Sequence, residues 1–366
     1  LPVRPQGCPI DDEHERRNLL RRVKALVKQV VSPVVDATGW YDRRVRRAVA
    51  HAGSWTIVMY HRVIDNPSAD PFGLGMCVHR DHFEQQVRYF ARHFNLLTVG
   101  DACQRLSAGQ ALPRRALSIT FDDGYLDNLT CAWPILQRHE VPFSIYVPTG
   151  GVDEGQCLWW DRVIAAMAGT SRSGLDLQEV GLSAERLTVT WAGLDGHEVV
   201  QDVLARLWAL PRAECERAVD RLVAWLGPVD LLAQGAQRLD RHQLRQLHRA
   251  GVEIGAHSVS HPNLSLLGLD ELRDELVRSR DVLQAWLDAP VRGFAHPGGW
   301  QHAQARDVLA EQGYAYALTT ESGLNLAPPD PMNLRRVGMP DAPLADFRRA
   351  FGGALVRATP ADGVRF

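Results

Sequence analysis

From Trp55 onward, short apolar runs alternate with longer amphipathic segments. The pattern predicts strands near Thr56–Tyr60, Leu96–Val99, Leu117–Phe121, Phe143–Val147, Val252–Ala256, Gly293–Ala295, Tyr316–Thr319 and Leu334–Val337. Amphipathic segments such as Asp81–His93, Asn128–His139, Asp270–Leu287 and Ala303–Gln312 lie between them. Parallel neighbours cannot be joined by a tight turn and need a helical crossover, so this alternation implies an α/β fold with a parallel sheet, open or closed into a barrel. Residues from about 155 to 240 break the rhythm. They are rich in Leu, Ala, Trp and Arg with few strand signals, and they read as a helical insertion between two strands.

Residues 1–54 read as a basic amphipathic extension, with the main domain over 55–366. Residues 14–50 carry ten Arg or Lys against three acids. Within "NLLRRVKALVKQVVSPVV", Leu19, Leu20, Val23, Leu26, Val27, Val30 and Val31 recur at helical spacing, and Pro33 is expected to end the helix. Such a helix either docks on the main domain by its apolar face or makes a peripheral membrane contact through residues 16–34. A hydrophobic content of 45% and a charged content of 23% are those of an ordinary globular protein. No apolar run reaches membrane-span length. A net charge of −2 gives no pull toward nucleic acid, and no nucleic-acid partner is expected. The six cysteines are scattered without a C-x-x-C pair and read as buried small hydrophobes. Together with the absence of a visible leader, they point to the cytoplasm, with a peripheral place at the inner membrane or an exported form left open.

The reactive side chains fall at the ends of the expected strands. His61 follows "TIVMY", Asp122 and Asp123 follow "LSITF", His257 and His261 follow "VEIGA", and His296 follows "GFA". In parallel α/β folds the loops at the carboxyl ends of strands form the site. In "HSVSH" the two imidazoles are four residues apart and can meet one ion. Two His and one carboxylate are a common protein set for a catalytic zinc. Adjacent aspartates leaving a strand point in different directions, so one can ligate while the other serves as base. A plain turn is the competing reading of "FDDGY".

The ordered motifs "TFDDGY", "GAHSVSH", "RGFAHPGG" and "LTTESG" resemble the polysaccharide deacetylase family, the NodB homology domain of carbohydrate esterase family 4. "VMYHRV" and "LWWDRV" further resemble its exopolysaccharide de-N-acetylases. The resemblance implies a distorted (β/α) barrel of about seven parallel strands. It implies Asp123, His257 and His261 as ligands of a divalent metal, zinc first, with cobalt, nickel or iron also able to occupy the set. It implies Asp122 as general base and an N-acetylated polysaccharide or oligosaccharide as substrate, with release of acetate. An O-acetyl esterase and a non-catalytic glycan-binding protein on the same fold are the alternatives.

Two features depart from the family pattern. The Leu-x-His motif that carries the general acid in many members is missing, since no His follows His302, and His61 takes that role as in the exopolysaccharide subgroup. In "FAHPGG", Ala295 stands where many members have an Arg that contacts the catalytic Asp, and Gly298 stands at the Tyr position. The Gly298 N–H is expected to help an oxyanion, and His296 or Arg292 to tune Asp122 in place of the Arg. Trp159, Trp160 and Tyr125 are expected either along a glycan groove or in core packing.

Overall fold

The computed structural model describes residues 31–51, 53–172, 174–183, 188–190, 196–227 and 235–357. The described strands are β1 (Trp55–Tyr60), β2 (Arg62–Ile64), β3 (Cys77–His79), β4 (Asn95–Leu96), β5 (Ala116–Phe121), β6 (Phe143–Val147), β7 (Gly174–Asp176), β8 (Thr188–Thr190), β9 (Glu253–Ala256), β10 (Gly293–Ala295), β11 (Tyr316–Leu318) and β12 (Val337–Gly338). Every residue of β5 and β6 is buried. Continuous burial is what a parallel strand covered on both faces requires, and the polar residues within these strands are bonded: Ser118 to Trp55, Thr120 to Val58 O and Ser144 to Glu253. Seven strands pair in the order β11-β10-β9-β6-β5-β1-β12, all parallel, with β4 added beside β5. A parallel bridge from Leu318 to Leu334, just ahead of β12, links the two ends of that path. The fold is the expected distorted (β/α) barrel.

Alternate strand residues sort into two cores. Val58, Tyr60, Leu117, Ile119, Phe121, Phe143, Ile145 and Val147 pack outward against the helices. Trp55, Ile57, Tyr146, Ala295, Tyr316 and Leu318 form a smaller inner cluster. The inner cluster admits polar groups that bond one another: Trp55 Nε1–H donates to Ser118 Oγ at 3.0 Å, and the Tyr146 hydroxyl donates to the Tyr316 hydroxyl at 3.1 Å. Glycine is required at 255 and 293, because a Cβ there would run into the rings of Tyr146 and Tyr316.

Strand register sets the rim. β1 and β5 pair from Trp55↔Ala116 to Tyr60↔Phe121, so His61 and Asp122 leave the sheet side by side, with Asp122 N–H on Tyr60 O at 3.0 Å. Val147↔Ala256 brings His257 out beside Pro148, and Ala295↔Leu318 brings His296 out beside Thr319.

Several local expectations change. Thr98 ends the expected strand at 96–99, because its hydroxyl caps the helix Val99–Ser107 by accepting from Asp101 N–H at 3.1 Å. The segment 128–139 opens as a π-helical turn, Asn128–Ala132, before the α-helix Trp133–Arg138. The insertion contains helices Trp159–Gly169, Gly196–Trp208 and Arg212–Leu226 around a core of their own, and also an antiparallel pair, β7 and β8. Pro33 does not end a helix: residues 31–37 are helical through it, its fixed φ being compatible with a helix, and the turn comes at Gly39 with φ 69°. The rest of the expected helix at 16–34 lies outside the described residues. No helix among the described residues is long and apolar enough to cross a membrane. The five described cysteines are free, and Cys103, Cys131 and Cys157 are only half-buried rather than buried. Cys8 lies outside the described residues.

The described part of the amino-terminal segment docks on the last helix, Leu344–Arg357. Ser32 donates to Asp346 at 2.8 Å, and Arg348 pairs with Asp36 at 2.9 Å. The same helix inserts Phe347 and Phe351 against Phe90 of the helix Arg80–His93, with ring centroids 5.6 and 5.5 Å away. Phe351→Ala is expected to cost about 3–5 kcal/mol, the usual range for deleting a buried phenyl, read as a lower urea midpoint at unchanged slope.

Candidate active site

The turn after β5 brings the two aspartates to the rim and separates them. Asp123 and Gly124 both adopt the left-handed region, with φ 71° and 65°. Asp and Gly are the residue types that tolerate it, so the turn reading and the site reading of "FDDGY" hold together.

Asp123 faces the two imidazoles of "HSVSH". Its Oδ1 lies 3.6 Å from His257 Nε2 and 3.4 Å from His261 Nε2, and the two Nε2 atoms are 3.1 Å apart. All three residues are buried, and Asp123 Oδ1 has no hydrogen-bond partner. His257 Nδ1 lies 2.7 Å from Ala295 O, which places the proton on Nδ1 and leaves the Nε2 lone pair facing His261 and Asp123. Burial pulls His257 down to about 4 and His261 well below its ordinary value, so both rings are neutral. Burial, then Asp122 and Asp161, push the Asp123 carboxyl well above its usual range. Converging lone pairs and an orphaned buried carboxylate oxygen fit a divalent cation, held by Asp123, His257 and His261.

The 257–261 loop is strained and pinned. Ser258 and His261 have φ 66° and 54°, conformations that persist only where surroundings enforce them. Glu275, buried in the helix Leu269–Leu287, enforces them by accepting from Val259 N–H, Ser260 N–H and the Ser260 hydroxyl at 2.8, 2.9 and 2.6 Å. Thr149 and Gly150 N–H bond the carbonyls of Ser258 and Val259, tying the loop after β6 to the loop after β9. Arg238 donates to Pro148 O and Gly150 O, and its guanidinium also interacts favourably with Asp123.

Asp122 is held differently. Arg336 Nη1 and Nη2 donate to its two oxygens at 2.7 Å each, a fork-to-fork pair with neither side chain exposed beyond 3%. Arg336 Nε also donates to Thr319 O at 2.8 Å. Burial alone would raise the Asp122 carboxyl, but Arg336 and His257 outweigh it and hold it down at about 2. This corrects the expectation that His296 or Arg292 tunes Asp122. Arg292 is exposed ahead of β10, away from the rim. His296 is buried with its Nδ1 unpartnered, pulled to about 3 by burial and then by His257 and Arg336, so it has no charge to offer. The sequence signal for Arg336 is the adjacent pair Arg335 and Arg336 in the stretch expected as the last strand, where successive side chains point to opposite faces and one of the two must turn inward.

His61 is half-buried at the end of β1. Burial lowers its pKa, Asp122 raises it and Arg336 lowers it, which places its imidazole in the field of the Asp122–Arg336 pair. Gly298 is exposed in the turn Pro297–Gly299 with φ 58°, and the Trp300 ring packs where a Cβ would stand. Tyr125 and Trp160 are buried, at 0% and 4% exposure, and cannot present a free ring to a sugar as expected for a groove. Burial is permitted because their polar atoms are satisfied: Trp160 Nε1–H donates to the Tyr125 hydroxyl, which donates to Asp161. The half-buried aromatics near the centre are Trp159, Trp208 and Trp300, with Trp208 5.3 Å from the His261 ring and 4.5 Å from Trp300.

Residues 205–317 match the family model for polysaccharide deacetylase, a span that includes His257, His261 and His296. A search of curated proteins returned no match. Among solved structures, the deacetylase PplD of Streptococcus pyogenes, in complex with acetate, is similar at TM-score 0.55 and 17% identity, over 84% of this chain and 99% of that one. IcaB from Ammonifex degensii is similar at TM-score 0.53 and 19% identity, over 83% and 98%. A polysaccharide deacetylase from Bacillus cereus is similar at TM-score 0.51 and 15% identity, over 83% and 69%. Identities this low establish a shared fold. The resemblance read from the motifs stands beside the family match.

Removing one partner of a buried ion pair leaves an uncompensated charge, so Arg336→Met is expected to cost about 3–5 kcal/mol in urea unfolding and much less in an Asp122→Asn background. The Asp122 carboxyl sits at about 2, below its ordinary 3.8, so the pair stabilises fully above about pH 4. That part of the stability is lost as pH falls through about 2, and the loss is absent in Arg336→Met.

Proposed function

We propose that this protein, carrying the polysaccharide deacetylase match and fold, is a divalent-metal-dependent hydrolase that removes N-acetyl groups from N-acetylhexosamine units of a polysaccharide. The observation that carries the reading is the split between the aspartates. Asp123 turns an unpartnered oxygen toward two neutral imidazoles, and one residue away Asp122 is clamped by a buried arginine. A binding protein has no need to hold a second carboxylate ionised beside such a set.

Asp123, His257 and His261 would hold the ion, zinc being the first choice for this donor set. When bound, a divalent ion polarises an acyl oxygen and acidifies water. Asp122 receives the proton of the attacking water. An ionised carboxylate oxygen keeps a lone pair free after accepting one bond from Arg336, so the clamp and the base role are compatible. Arg336 keeps Asp122 ionised in a place where burial alone would neutralise it. His61, which leaves β1 beside Asp122 at the end of β5, donates the proton that lets the sugar nitrogen leave as an amine. The exposed backbone at Gly298 lies on the same rim and supplies an N–H for the acyl oxygen.

Acetate release from an oligomer of N-acetylglucosamine, assayed on protein of known metal content, tests the reading. Asp122→Asn is expected to retain the metal and lose release, His257→Ala to lose the metal, and His61→Ala to keep the metal and lose about 10²–10⁴-fold in rate. Release from O-acetylated but not N-acetylated sugars would reassign the protein as an esterase, and His61→Ala within about tenfold of wild type would remove His61 from the acid role.

A further inference from the structure

Asp161 is a buried acid that takes no part in the chemistry above. It lies in the helix Trp159–Gly169 of the insertion, 6% exposed, and burial pushes its carboxyl up to about 7. Its partners lead to the metal centre. The Tyr125 hydroxyl donates to both Asp161 oxygens, at 3.1 and 3.0 Å, and accepts from Trp160 Nε1–H at 3.0 Å. A tyrosine hydroxyl has one proton, and both Asp161 oxygens lie where they accept it, which leaves the Tyr125 lone pairs for Trp160. Arg62 steadies the arrangement, 4.9 Å over the Tyr125 ring and bonded to Asp127 at 2.8 Å.

The end of this chain is the His261 ring, whose centroid is 4.4 Å from that of Trp160. The two imidazoles of the centre are held in different ways. His257 is anchored by its Nδ1–H on Ala295 O, the common means of orienting a ligating histidine. His261 Nδ1 has no hydrogen-bond partner, and its backbone is strained at φ 54°. Its ring is instead packed by Trp160 and Trp208, both from the insertion.

We infer that Asp161 and Tyr125 are positioning residues of the metal centre: they fix the Trp160 indole, and packing against that indole sets the orientation of His261. This rests on the metal-centre reading above and assigns the insertion a share in building the site.

The test measures the zinc dissociation constant by chelator competition, and the visible absorption of the cobalt-loaded protein, for wild type, Tyr125→Phe, Trp160→Phe and Asp161→Asn. Tyr125→Phe and Trp160→Phe are expected to weaken zinc binding by about tenfold or more, as loss of a ligand-orienting partner does elsewhere, and to shift the cobalt band. Asp161→Asn keeps an acceptor for Tyr125 and is expected to lose less than Tyr125→Phe. A merely structural role lowers the melting temperature of the variants but leaves the dissociation constant and the cobalt band unchanged where all are folded, and that result overturns the inference. If Tyr125→Phe does not fold, Trp160→Phe decides alone. Wild type that binds neither zinc nor cobalt overturns the metal-centre reading, and the inference with it. Wild type that binds, with variants that bind equally well, overturns the inference only.

Discussion

The buried pair of Asp122 and Arg336 is the constraint on which the site depends. An unpaired carboxylate with 2% exposure would be driven to its neutral form, and an unpaired guanidinium with none would be costly in any form. Each makes the other tenable. The fork geometry fixes both oxygens of Asp122, so the carboxylate is ionised and oriented by the protein itself. The Arg336 Nε bond to Thr319 O ties that orientation to the loop after β11, and the pair thereby spans the seam where the barrel path closes.

Asp123 uses the opposite device. Its neighbours supply two neutral imidazoles, and its own Oδ1 has no hydrogen-bond partner. Two adjacent carboxylates in one buried place would repel, and burial first, then the neighbouring Asp122, do raise Asp123. Giving one a fixed protein cation and the other a set of metal donors removes that conflict and separates their roles. The loops that hold the donors are pinned by charge as well, through Glu275 under the strained 257–261 loop and Arg238 under 148–150.

The insertion has its own hydrophobic core, yet it meets the barrel at the Asp123, His257 and His261 group through Trp160, Asp161 and Trp208. Its aromatic side chains cover His261 from one direction while barrel strands support His257 from the other. Tyr125 and Trp160 show why residue type alone misleads. Both are amphipathic enough for a sugar groove, but their polar atoms are consumed by each other and by Asp161, so they are buried.

The sequence by itself determined the parallel strands, the rim of reactive residues, the turn at Asp123 and Gly124, and the matched pair of histidines. These follow from local spacing: a buried parallel strand is a short, mostly apolar run, and residues four apart share a face. Only the tertiary structure decided which cation serves Asp122, since Arg336 lies 214 residues away and reaches it through the closure of the barrel. It also decided that Tyr125 and Trp160 are packed, that Pro33 lies within a helix, and that the insertion carries a strand pair. Burial and long-range pairing depend on which surfaces the folded chain brings together, and neighbouring residues along the sequence do not encode that.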